Sequence, residues 1–581
     1  MHSFRVWAPN RQRVDVDVDG QRQEMHPADN GWWETTVTDA DHGSNYGFVL
    51  DDGPARPDPR SLWQPEGVHA PSRVYDHARH EWQDGAWRGL SLAGSVLYEL
   101  HVGTFTDEGT LSAALTHLDH LVALGVDAVE LLPLNGFDGP RGWGYDGVAL
   151  YSVHEPYGGP DALKDFVDAC HARGIGVVLD VVYNHLGPSG NYLAEFGPYF
   201  TNTYQTPWGA AVNLDAPGSD QVRRWIVDNA LSWLRDFHID GLRLDAVHEL
   251  IDTRAVNVLE EVASAVHELG AHLGKPLFVI AESDLNDPRL ITPVDAGGMG
   301  LDGQWCDDVH HALHAMLTGE RQGYYADFGS LQTLATALTS AFVHANTWSS
   351  FRGRSHGRPV DLRTVPGWRF VTYLQDHDQV GNRATGDRLS TIVPPELVKV
   401  GAALLLCSPY TPMLFMGEEW GASTPWQFFT SFDSPELAAA VRDGRRSEFA
   451  AHGWHAESIP DPQDPDTAAR SRLDWDEIDE DPHLELLAWY TQLIALRRER
   501  VELTDSRLDQ VRCDYDEAAG WFVLYRGSVA VVCNVTDARM TVPVTGTPTA
   551  VLLTSTSGFV YRDGVVELDG ASVVIVELTP H

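Results

Sequence analysis

Five cysteines in 581 residues, Cys170, Cys306, Cys407, Cys513 and Cys533, are too few, too scattered and odd in number to frame a disulfide-stapled fold or a Cys-rich metal site. Free, mostly buried thiols are the expectation. Basic residues are also scarce, 41 against 83 acidic, and the formal net charge of −42 would repel phosphate backbones and anionic membrane surfaces. Nucleic acid and membranes are therefore not expected as partners. No apolar run approaches the ~18 residues that a bilayer span requires. The opening decapeptide, Met1 to Asn10, lacks the apolar core and small-residue cleavage site of a secretory signal, so a cytoplasmic protein is expected. No HExxH or comparable spacing points to metal, and no cofactor is expected.

What remains is an ordinary globular composition, 43% apolar and 21% charged, on a chain long enough for several domains. Residues 1–88 alternate short β-type runs with turn clusters and show no helical period, which predicts an N-terminal β-sandwich. The polar, Gly-containing stretch 82–89 reads as a linker. From residue 89 to 500 strands and amphipathic segments alternate. Strands are expected at 96–100, 128–132, 176–182, 241–246, 277–281, 300–305, 369–374 and 413–416, with helices at 111–124, 162–172, 221–237, 255–269 and 331–341. Eight such units favour a closed (β/α)₈ barrel over an open sheet. The sixth strand has little β propensity and is placed by its order. After a helix at 484–497, residues 501–581 return to strands, which predicts a C-terminal antiparallel β-domain. The acidic, Pro-rich segment 460–465 reads as a surface loop.

In a barrel the chemistry gathers where strands end at the C-terminal face. The third strand runs into Asp180-Val-Val-Tyr-Asn184-His185, the fourth carries Arg243-Leu-Asp245, the fifth ends in Glu282, and the seventh ends in Gln375-Asp376-His377-Asp378. Strand parity puts Arg243 and Asp245 on one face and Leu242 and Leu244 on the other. A guanidinium beside a carboxylate keeps it ionised, as a nucleophile requires, although the same pair could simply tie strands together. Glu282 on the neighbouring strand could supply the second carboxyl of a glycosidase, at the separation of about 5–5.5 Å that retention demands. His185, His377 and Asp378 could bond sugar hydroxyls, and Trp143, Tyr145 and Trp208 could stack on sugar rings.

Taken together and in this order, the four segments resemble the sequence regions of the α-amylase family of glycoside hydrolases. The resemblance implies that Asp245 is the nucleophile, Glu282 the acid/base and Asp378 the transition-state stabiliser. Arg243, His185 and His377 would support them, Tyr145 would stack at the cleaved sugar, and Asp180 and Asn184 would shape the third strand's loop. The segments 282–289, 304–314, 415–425 and 460–465 are similar to those of members that cut the α-1,4 bond next to the terminal trehalose of maltooligosyltrehalose. On that reading the substrate is maltooligosyltrehalose or a related α-glucan, and Asp287 and Asp308, after the fifth and sixth strands, belong to the acceptor side. A glucan branching or debranching enzyme would share the core residues. A non-catalytic glucan-binding relative should have lost Asp245, Glu282 or Asp378, and all three are present.

Overall fold

The computed structural model describes residues 1–451, 459–562 and 564–579. Its centre is a closed barrel of eight parallel strands: β1 (Leu97–Leu100), β2 (Ala128–Leu131), β3 (Gly176–Val181), β4 (Gly241–Leu244), β5 (Phe278–Ala281), β6 (Gly303–Trp305), β7 (Phe370–Tyr373) and β8 (Thr411–Phe415), with β8 closing onto β1. All eight expected strands form; seven are slightly shorter than their expected spans, and β8 starts two residues earlier and ends one residue earlier than expected. Alternate residues face inward. Leu97, Ala128, Val178, Phe278, Ile280, Trp305, Val371, Tyr373 and Met413 fill the lower interior, while Leu242 and Leu244 pack outward. Above that apolar plug the inward residues turn polar: Glu99, Glu130, Asp180 and Arg243 are all buried.

The outer helices include α1 (Gly159–Ala172), α2 (Ser219–Asp236), α3 (Val258–Leu273), α4 (Asp307–Thr318), α5 (Leu331–Ser340) and α6 (Pro395–Leu406). The segment expected as one helix at 111–124 is broken into Leu111–Ala114, a 3₁₀ turn Leu115–His117 and Leu118–Leu124, because His117 leaves helical geometry. Among the described residues no helix is long and apolar enough to cross a membrane.

At the N-terminus two antiparallel sheets, one containing His2–Trp7 and Trp32–Val37 and the other Val14–Val18 and Asn45–Leu50, give the expected sandwich. The stretch 82–89 is more than a tether. Trp82 stacks on His238 at 3.7 Å and Trp87 on His171 at 4.7 Å, while Trp87 Nε1 donates to Asp240 at 2.7 Å. Asp84 Oδ2 lies 3.0 Å from His171 Nδ1 and 2.8 Å from His238 Nδ1. Aromatic faces and a buried carboxylate, in place of slack polar chain, bind this stretch to the foot of β4.

The C-terminal part packs a five-stranded sheet against a three-stranded one across Val523, Val532, Val542, Val566, Val574 and Val576. Two buried arginines fasten it to the barrel. Arg497, on α7 (His483–Glu499), donates to the carbonyls of Leu406 and Tyr410 at 2.8 and 2.6 Å and across the junction to that of Leu503 at 3.1 Å, and Arg526 donates to that of Cys407 at 2.7 Å. All five cysteines are free, and four of them are buried. The segment 460–465 is not a plain surface loop: Pro462 is buried and its carbonyl accepts from Thr430 N at 2.8 Å.

Candidate active site

β3 and β4 pair with Asp180 opposite Arg243, so the acid and the guanidinium enter the barrel mouth at one level. Arg243 Nη1 donates to Asp180 Oδ2 and to Asp245 Oδ1, each at 2.8 Å, and its plane lies over the Trp305 ring at 4.3 Å. The side chain of Arg243 is wholly buried. Asp245 receives a second donor, since Asn184 Nδ2 reaches both its Oδ2 and its carbonyl at 2.7 Å. Of the two other guanidinium nitrogens, Nη2 is 3.8 Å from Glu282 Oε2, beyond hydrogen-bond range.

These distances separate the two carboxyls chemically. Asp245 holds a close ion pair and a side-chain amide, whereas Glu282 has one backbone donor, Ala246 N at 2.6 Å. Burial of Glu282, with Asp245, Asp307 and Asp378 outweighing the more distant Arg243, pushes its carboxyl up to about 8. One acid facing the cleft is thus held as a hydrogen-bonded ion pair and the other as a proton donor, the division of labour of a glycosidase.

Between Asp245 and Glu282 the chain turns sharply. Ala246 takes φ 39° and ψ 52°, a left-handed conformation unusual for alanine. That turn aims its N–H at Glu282, and Val247 N donates to the Glu282 carbonyl at 3.0 Å.

Asp378 lies in the short helix His377–Gly381 that follows β7. Its Oδ2 is 3.4 Å from His377 Nε2, and its Oδ1 accepts from Asn382 at 3.1 Å. Burial alone would raise its carboxyl, but His377 overrides burial and holds it down at about 2. Tyr145 donates to Asp180 at 2.6 Å, lies 2.7 Å from His377 Nε2 and stacks on that imidazole at 5.1 Å. Its placement depends on Gly144, at φ +104°, where an added Cβ would lie 2.2 Å from the Pro133 carbonyl. His185 hydrogen-bonds Asn184 and stacks face-on with the half-exposed Trp208 at 4.1 Å. Trp143 is buried against Trp426 at 4.4 Å, so it backs the site and offers no open platform.

The acceptor-side expectations fare differently. Asp287 pairs within its own loop with Arg289, at 2.8 Å to Nε. Asp308 requires a correction. It is buried, and its Oδ2 accepts from Asn286 Nδ2 and from the amides of Val343 and His344 at 2.9, 2.7 and 3.1 Å, so it binds two loops together. Its neighbour Asp307 faces the cleft, where Tyr373 donates to it. Burial raises Asp307 to about 6, with Asp378 and Asp284 adding to the effect against Tyr373. Strand parity carried beyond Trp305 would have found it, since Asp307 lies two residues after an inward side chain. Glu99 and Glu130 were also missed, although a lone glutamate inside an apolar barrel strand is a legible signal.

Comparison with known proteins extends this geometry. Residues 71–206 match the family description "Alpha amylase, catalytic domain", residues 2–59 match "Carbohydrate-binding module 48 (Isoamylase N-terminal domain)", and residues 506–575 match a domain of unknown function, DUF3459. A malto-oligosyltrehalose trehalohydrolase of Arthrobacter ramosus is 56% identical over 94% of this chain and 94% of its own, and that of Saccharolobus solfataricus is 44% identical over 86% and 85%. This chain belongs to the malto-oligosyltrehalose trehalohydrolase family. A 1,4-alpha-glucan branching enzyme of Pseudoalteromonas atlantica is 27% identical over 74% of the chain, well below the trehalohydrolases. The crystal structure of a Salmonella typhimurium protein named as an alpha amylase superposes with a TM-score of 0.91 at 38% identity, covering 99% of this chain and 97% of its own. The trehalohydrolase family therefore accounts for the sandwich, the barrel and the C-terminal sheets in one continuous match.

Proposed function

We propose that this protein hydrolyses the α-1,4 bond next to the terminal trehalose of maltooligosyltrehalose, with retention of configuration. The observation that carries the chemistry is the unequal treatment of two acids on adjacent strands, Asp245 ion-paired to Arg243 at 2.8 Å and Glu282 pushed up to about 8. Glu282 gives its proton to the glycosidic oxygen as Asp245 attacks the anomeric carbon, so trehalose leaves and a glycosyl ester forms on Asp245. Glu282, now a base, takes a proton from water, which cleaves the ester and restores both groups. Asp378 stabilises the positive charge that develops on the sugar ring in both steps. Asp287, in the loop after β5, and Asp307, at the start of α4 after β6, fit the acceptor side by their place in the fold. The substrate follows from the relatives' names and the high identity. Domain borders near residues 88 and 500 and a cytoplasmic setting, in keeping with five free thiols, complete the reading.

The test is to incubate the protein separately with maltooligosyltrehalose, maltopentaose and a branched glucan and to identify the products. Trehalose from the first substrate is expected. Maltose as the main disaccharide, or new α-1,6 branches, would overturn the trehalohydrolase reading.

A further inference from the structure

Beneath the three carboxyl groups assigned to the reaction lies a second acidic layer. Glu99 and Glu130 occupy paired register positions on β1 and β2, both side chains inward and both buried. They differ in what they touch. Glu99 accepts from His377 twice, from Nδ1 at 2.6 Å through Oε1 and from the backbone N–H at 2.9 Å through Oε2. Neither Glu130 oxygen has a hydrogen-bond partner among the described residues.

The hydrogens around His377 can be assigned by elimination. The one hydroxyl hydrogen of Tyr145 is directed to Asp180 at 2.6 Å, so its oxygen, 2.7 Å from His377 Nε2, accepts from that nitrogen. Nδ1 lies 2.6 Å from Glu99 Oε1, and a carboxylate there can only accept. Each ring nitrogen therefore donates, which only the imidazolium does.

We propose that Glu99 is a positioning residue of this site: by accepting from His377 Nδ1 and backbone N–H, it fixes His377 as an imidazolium and so holds Asp378 ionised and in place. The proposal rests on the reading of Asp378 as the transition-state stabiliser. It also gives the glutamate in β1 a task other than packing.

The groups facing His377 from the other elements do not supply its counter-charge. Glu130 on β2 is pushed well up by burial and by Glu99 beside it, and neither of its oxygens reaches a hydrogen-bond partner among the described residues. His101, after β1, is drawn down to about 4 by burial and is neutral. Asp376 is raised well above its ordinary value by burial and by Glu99. Asp180, on β3, is committed to Arg243 and Tyr145. Trp143, Trp305 and Trp426 contribute only ring contacts to the imidazole. His377 itself is held well above its ordinary value against strong burial, with Asp378 and Glu99 overcoming it. Glu99 and Asp378 therefore lie at the two ends of one charged imidazole.

The experiment is nitrogen NMR of histidine-labelled protein, with the His377 signal among 26 histidines assigned by its loss in His377→Gln. In the unmodified protein both ring nitrogens should remain protonated through pH 8. A neutral tautomer at pH 7 would overturn the proposal without any variant. In Glu99→Gln the His377 titration should move down by about one unit or more, a tenfold change in the charged fraction at a given pH. Its kcat should fall by about tenfold or more with KM changed by less than about threefold, as expected where a transition-state contact is weakened. The alkaline limb of its kcat/KM profile should also move to lower pH. Glu99→Asp, which keeps the charge, should restore part of both effects. Glu130→Gln should leave the His377 titration in place, and an equal shift in that variant would overturn the assignment to Glu99. If Glu99→Gln moves the titration while Asp378→Asn keeps full activity, the coupling stands and the role given to Asp378 falls.

Discussion

The Glu282 carboxyl accepts a 2.6 Å hydrogen bond from the backbone N–H of Ala246, the residue directly after Asp245. Glu282 and Asp245 are thus linked through one peptide unit, and their spacing does not depend on flexible side chains alone. Positioning of that kind is worth several orders of magnitude in rate when the geometry is right.

Replacing either group should remove chemistry and leave folding intact. Glu282→Gln should lower kcat by roughly 10²–10⁴-fold, and Asp245→Asn by at least as much, because one loses proton transfer and the other the covalent intermediate. Turnover measured beside thermal melts checks this. A folded variant with near-normal turnover would remove its residue from the assignment.

Hydrolysis should release the α-anomer first. Acids that end adjacent strands, with Arg243 2.8 Å from Asp245 and 3.8 Å from Glu282, fit the short carboxyl separation of a retaining enzyme. Proton NMR of the first-formed maltooligosaccharide reads the outcome, and initial β-anomer would contradict it.

The pH–rate profile should carry the signature of a protonated acid. Glu282 works only while it holds its proton, so kcat/KM should decline as pH rises through about 8, whereas Asp378, at about 2, stays ionised across the working range. A profile still rising at pH 9 would exclude Glu282 as the donor.

Stability should follow the same sign. Burial raises Glu282 and Glu418 to about 8 and Asp307 and Asp308 to about 6, so the folded chain holds protons that the unfolded chain releases. Their contribution is complete below the ordinary carboxyl range and is lost as pH rises through about 6 and then about 8. Glu320 and Asp378, held near 2, act oppositely, and their contribution is lost only as pH falls towards 2. Buried histidines held low, such as His101 at about 4 and His154 and His311 at about 3, act against this below pH 7. Calorimetry should therefore give a higher Tm at pH 7 than at pH 9, and the reverse order would refute the account.

Asp308→Ala should act on stability before specificity. It strands the amides of Val343 and His344, at about 1–3 kcal/mol for each buried donor left unpaired, so a clear fall in Tm is expected. Asp287→Ala breaks only a pair local to its loop, and its Tm should hardly move. If trehalose selectivity, read as kcat/KM for maltotriosyltrehalose over maltopentaose, changed in Asp308→Ala with Tm preserved, Asp308 would return to the binding site.

Barrel order was legible because each strand is a short apolar run between turn signals, and because eight of them alternate with amphipathic segments. Arg243 and Asp245 were legible through parity alone. Asp308 was misread because two adjacent aspartates at a helix start point in different directions, and only the preceding inward Trp305 tells them apart. Glu99 and Glu130 carried a legible signal, an acid inside an apolar strand, but what each one touches depends on neighbours distant in sequence, such as His377 for Glu99. The role of 82–89 could not be read from its own residues, since its partners His171, His238 and Asp240 come from α1 and the lead-in to β4.

That stretch has a consequence for how the molecule can be divided. Its tryptophans and Asp84 cover the two imidazoles at the foot of β4, the strand whose other end bears Arg243 and Asp245. A cut at residue 88 would leave the barrel without that cover, with two histidines stripped of their stacking partners and Asp240 stripped of a donor. The catalytic unit therefore begins upstream of its first strand, and the minimal independently folding fragment has to carry a piece of chain that contributes nothing to the barrel wall.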